Sequence, residues 1–87
     1  MIKPGGIKRL MQDITAVLYN NHQIDARYYI SARGVPYTRV VVGKEHLSFC
    51  YFKTTDIFRV FDINQYPTDL KTRDDLMKFF IDKKVAQ

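Results

Sequence analysis

DARYYISARGVPYTRVVVGKEHLSFCYFKTTDIFRVFDI, residues 25–63, sets the architecture of this chain. Apolar and polar residues alternate along it in four short runs, the period of half-buried β-strands. The runs cover 25–33, 37–42, 45–53 and 57–63. Gly34-Val35-Pro36, Gly43-Lys44 and Thr54-Thr55-Asp56 interrupt them with turn residues. Connections this short join antiparallel neighbours, so the stretch predicts a four-stranded antiparallel meander.

The turns also predict a register. Centring the first hairpin so that Arg33 pairs with Tyr37 sets Ile30 against Val40, Tyr28 against Val42 and Ala32 against Thr38. The Gly43-Lys44 turn pairs Val42 with Glu45, Val40 with Leu47 and Thr38 with Phe49. Because side chains alternate with period two, both hairpins give the same inner face: Tyr28, Ile30, Val40, Val42, Leu47, Phe49 and Tyr51. The opposite face then carries Arg27, Tyr29, Ser31, Arg33, Tyr37, Arg39, Val41, His46, Ser48, Cys50 and Phe52. Strand 57–63 is apolar on both sides. One register sends Phe58 and Val60 inward; the other sends Ile57, Phe61 and Ile63 inward with Arg59. Either way an aromatic points outward.

Two amphipathic helices flank the meander. Ile7, Leu10, Met11, Ile14, Val17 and Leu18 recur at helical spacing after the breaker Pro4-Gly5-Gly6, which predicts a helix over 6–21 ending at Asn20-Asn21-His22. Asn64 to Asp69 reads as loop, with Pro67 within it. Thr72 followed by Asp75 is a variant capping box opening a second helix. Asp74 and Asp75 suit its start, and Lys83 and Lys84 are expected as a solvated end. Its buried stripe is Leu76, Met77, Phe80 and Ile81. Helices and sheet must cover one another, so the expected fold is α+β: helix, four-stranded meander and C-terminal helix, both helices on one sheet face.

Composition bounds the function. With 87 residues, 46% hydrophobic and 26% charged, the chain suits one domain, 1–87, and is too apolar for disorder. The longest apolar runs are too short to span a bilayer, and the first residues offer no apolar signal core. A single cysteine, Cys50, permits no internal disulfide, which points to the cytoplasm. The net charge is +5, and its excess lies early: residues 1–43 hold six basic groups against two acidic ones, a net of +4. Such asymmetry favours an anionic partner.

No residue pattern carries catalysis. His46 and Cys50, four apart on one strand, lie roughly 13 Å from each other along it, too far for a thiolate–imidazole pair. No metal-ligand spacing or phosphate loop occurs, so no cofactor or metal is expected. The unusual feature is the outer face. Arg27, Tyr29, Arg33, Tyr37, Arg39 and Phe52 form a candidate contact surface, with guanidinium groups for phosphates or carboxylates and rings for stacking. The expectation is a non-catalytic binding protein for nucleic acid or a nucleic-acid-handling complex. The alternative is an inhibitor or adaptor, of the small accessory kind that phages and plasmids carry, meeting an acidic protein surface. A homodimer through the same face is the third possibility.

Overall fold

The computed structural model describes residues 4–63 and 65–86. Lys3 and Asn64, which entered the charge and loop readings, lie outside the described residues. Helix α1 spans Pro4–His22, and strands β1 (Asp25–Ile30), β2 (Pro36–Val42), β3 (Glu45–Phe52), β4 (Ile57–Asp62) and β5 (Gln65–Leu70) follow. Helix α2, Arg73–Val85, closes the order. The strands form one antiparallel sheet in the order β1-β2-β3-β4-β5, giving an α+β fold with five strands where four were expected.

The extra strand is the segment read as loop. Pro67 argues against a central strand because it donates no ladder bond, but β5 is an edge strand, where proline is tolerated. Its pairing sets Arg59 against Asp69 and Val60 against Thr68, with a register shift between Val60 and Asp62. On β4 the first of the two registers holds: Phe58 and Val60 are buried, and Phe61 points outward with 38% of its surface exposed.

The β2–β3 hairpin has the expected register, with Val42 opposite Glu45, Val40 opposite Leu47 and Thr38 opposite Phe49. A two-residue turn with Gly43 at φ 61° leaves no slack in it. The β1–β2 hairpin differs. Its turn centres on Arg33, closed by hydrogen bonds from Ser31 N–H to the Val35 carbonyl (2.9 Å) and from Gly34 N–H to the Ser31 carbonyl (2.8 Å). Gly34 takes φ 80°, the left-handed residue of a three-residue hairpin loop. Tyr28 therefore pairs with Thr38 rather than Val42, Tyr29 with Tyr37, and Ile30 with Pro36. Each partner moves by four residues, an even number, so the faces survive while strand β1 ends early. Ala32 and Arg33 lie in the turn, and Ile30, expected inside, is 50% exposed.

Helix α1 begins at Pro4 because the first helical turn has unbonded N–H groups anyway, and proline loses nothing there. The left-handed residue at its end is Gln23 (φ 53°), not an asparagine. Ile24 N–H then returns to the Leu18 carbonyl at 3.0 Å, and the Ile24 side chain is buried. Lys84, expected in solvent, closes this helix end by donating to the carbonyls of His22 (2.5 Å) and Gln23 (2.8 Å). Lys83 pairs with Glu45 at 3.1 Å and sits 5.1 Å from the Phe79 ring centre. Thr72 caps α2 as its sequence implies, accepting from Asp75 N–H at 3.1 Å.

One buried cluster joins Met11, Ile14 and Leu18 of α1 and Leu76 and Phe80 of α2 to Ala26, Val40, Val42, Leu47, Phe49, Phe58 and Val60 of the sheet. Fully burying one large apolar side chain is worth roughly 1.5–3 kcal/mol. A polar pair sits inside it: Thr15 and Thr38 hydroxyls lie 2.8 Å apart, and Thr15 donates to the Met11 carbonyl at 2.6 Å. Thr15 has one proton, committed to Met11, so Thr38 is the donor between the two. The two valine substitutions are therefore unequal. Thr38→Val leaves Thr15 bonded and costs about 1 kcal/mol, whereas Thr15→Val strands a fully buried Thr38 hydroxyl and costs about 1–3 kcal/mol. Urea melts of both variants test that order.

Candidate binding face

The outer side of the sheet is built in rows across the strands. In the row nearest the first turn, Tyr29 opposes Tyr37, and their rings stack with centroids 5.6 Å apart and planes 22° apart. In the next row Arg27 opposes Arg39, which opposes Ser48, which opposes Phe61. Alternation along β1 and β2 alone puts the tyrosines and arginines on this side. Arg33 is exposed at the apex of the turn beyond the tyrosine row and does not pair with Tyr37. Five of the six predicted residues thus share the sheet face, and the sixth extends the β1–β2 hairpin at its tip.

Arg27 and Arg39 are the unusual pair. Strands lie about 4.8 Å apart, and like charges placed directly opposite destabilise a sheet. Among the described residues Arg27 has only Asp25, at 3.7 Å, and both side chains are largely exposed. Arg39 has no ion pair among the described residues. It borders an open depression of about 370 Å³ that is also lined by His46, Ser48, Phe61 and Asp62.

Phe52, at the other side of the face, lies under the Arg59 guanidinium, 4.9 Å from the ring centre. Arg59 is in turn held by Asp69 through two hydrogen bonds, 2.6 Å and 3.1 Å long. Those bonds hold the Asp69 carboxyl below the usual carboxylate range and raise Arg59 further. Asp69, Arg59 and Phe61 are the face residues that sequence reasoning did not single out. Their placement depends on the β4 register and on β5, and no turn signal fixed either. Phe52 therefore belongs to a locally neutralised patch, while Arg27, Arg39 and Arg33 form the basic side.

Cys50 alternates outward from β3 yet is only 8% exposed. Burial pushes its thiol up, and the nearby Arg59 charge opposes that in part. The thiolate is the reactive form, so iodoacetamide at neutral pH should label the native protein far more slowly than the protein in denaturant. Equal rates would place the thiol at the surface. Among the described residues no group of three His, Cys, Asp or Glu side chains is arranged to hold a metal ion. No described helix is long and apolar enough to cross a membrane.

No protein-family model, curated protein or solved structure matches the chain.

Proposed function

We propose that this chain is a non-catalytic module that binds single-stranded nucleic acid on its open sheet face. The observation that carries the reading is Arg27 set directly against Arg39, beside the Tyr29–Tyr37 stack. Like charges on directly opposed sheet positions repel. A phosphate between them turns that repulsion into two charge-assisted contacts. The tyrosines in the adjoining row, and Phe61 beyond Ser48, offer planes on which unpaired bases stack. Arg33 at the hairpin tip extends the cationic strip. A reducing compartment suits the lone buried thiol, so we place the protein in the cytoplasm.

A second reading is an acidic protein segment on the same face, supported by the partial exposure of Tyr29, Phe52 and Phe61. Salt separates the two. Two phosphates, one between Arg27 and Arg39 and one at Arg33, give log K a slope of about −1.4 against log salt, near 0.7 per phosphate on a single strand. Fluorescence anisotropy with labelled single-stranded DNA, RNA and duplex DNA at two salt concentrations reads this directly. Salt-sensitive binding that prefers the single strands supports the first reading. No binding at low salt removes it and leaves the protein partner.

A further inference from the structure

The two edges of the sheet are unlike. The β5 edge carries Pro67 and follows a register shift, both of which discourage pairing with another chain. Strand β1, DARYYI, has neither device. The Ser31 to Val35 hydrogen bond phases its ladder. Bonded pairs alternate along an antiparallel ladder, so Tyr29, Arg27 and Asp25 bond to β2. Pro36, which has no N–H, accordingly sits opposite Ile30 in a non-bonded position. The backbone N–H and C=O groups of Ala26, Tyr28 and Ile30 therefore point away from the sheet.

A groove of about 510 Å³ runs between this edge and α1, lined by Gln12, Ala16 and Tyr19 on the helix and by Tyr28 on the strand. The Tyr28 hydroxyl is buried with no hydrogen-bond partner among the described residues. Tyr19 is 61% exposed.

From these features we propose that the β1 edge pairs antiparallel with β1 of a second copy, Tyr28 against Tyr28, to make a ten-stranded sheet across a two-fold axis. That register sets Ala26 of each copy against Ile30 of the other, so all the outward groups of the three residues are used. It also sets Arg27 of each copy against Tyr29 of the other, a cation facing an aromatic ring. The register shifted by two residues would instead put Arg27 on Arg27. Charge and hydrogen bonding thus select the same arrangement, and a second copy satisfies it because the edge is its own complement. The two Tyr28 side chains lie on the helix side of the joined sheet, beside the Ala16–Tyr19 flanks of the two α1 helices.

This inference does not rest on nucleic-acid binding, and its test uses none. Sedimentation equilibrium of the full chain should give a mass rising with concentration towards twice 10.3 kDa. Ile30→Pro removes only an outward N–H and an exposed side chain, and should return the mass to that of a monomer with its circular dichroism unchanged. In a Cys50→Ser background, Tyr28→Cys should give a reducible cross-linked dimer under mild oxidation, since opposed residues bring their Cα atoms within disulfide range. A chain that stays monomeric at all concentrations overturns the proposal. So does a dimer that neither responds to Ile30→Pro nor cross-links through position 28.

Discussion

Arg39→Glu is expected to lose nucleic-acid binding and to gain stability. The two effects have one origin. Arg39 opposes Arg27 across β1 and β2. A glutamate there replaces a like-charge pair with an opposite-charge one, and directly opposed pairs of this kind are worth roughly 0.2–1 kcal/mol. The same change removes a phosphate contact and adds a repulsive one. Hydrogen bonds to charged groups contribute about 1.5–3 kcal/mol each, so the affinity at low salt should fall about a hundredfold or more. Thermal melting and anisotropy on one sample read both quantities. A variant that is more stable and still binds with the parent's affinity and salt slope would show that the Arg27–Arg39 row is not where the anion sits. Loss of both stability and binding would point instead to damage in the fold. Arg27→Glu should lose binding likewise, but it also breaks the Asp25 pair and sets two acids side by side on β1, so its stability gain should be smaller; reversing both arginines restores like-charge opposition and should lose the gain.

Phe80→Ala should cost about 3–5 kcal/mol, the range for removing a buried phenylalanine. Phe80 is fully buried, its ring centre 5.5 Å from that of Phe49 on β3 and 5.2 Å from that of Phe79. It is one of two buried residues of α2, the other being Leu76. A domain has a total stability of only about 5–15 kcal/mol, so the variant should lie close to the unfolding threshold at room temperature. Phe79→Ala removes a ring only partly buried against the core and should cost clearly less. Chemical denaturation of the two variants gives the comparison. A cost below about 1 kcal/mol for Phe80→Ala would mean that α2 is not anchored through this ring.

The parts of the fold legible in the sequence are those whose local chemistry leaves one solution. The Gly43-Lys44 turn is too short to allow alternatives, so the β2–β3 register followed from it. The loop after β1 admits several centres, and Gly34 in the left-handed region, rather than Pro36, sets where it closes. The face assignment survived that error because the slip was even. It left Arg27, Tyr29, Tyr37 and Arg39 outward but moved Arg33 from strand to turn. Strand β5 was hidden because an edge strand follows different rules from a central one, and Pro67 reads the same in a loop and at an edge. Asp69 was missed with it, and so was the neutralisation of Arg59. The Lys84 bonds to His22 and Gln23 were not legible because they join residues about sixty positions apart, which no local pattern reports.

That last connection also differs from the strand pairings in the loop it closes. Every strand pairs with its neighbour in sequence, so the sheet can grow hairpin by hairpin from the Gly43-Lys44 turn through small loop closures. The Lys84–His22 bond spans 62 residues and ties the C-terminal helix to the end of the first. It therefore closes a far longer loop than any hairpin turn of the sheet, and its closure costs the chain more entropy than theirs.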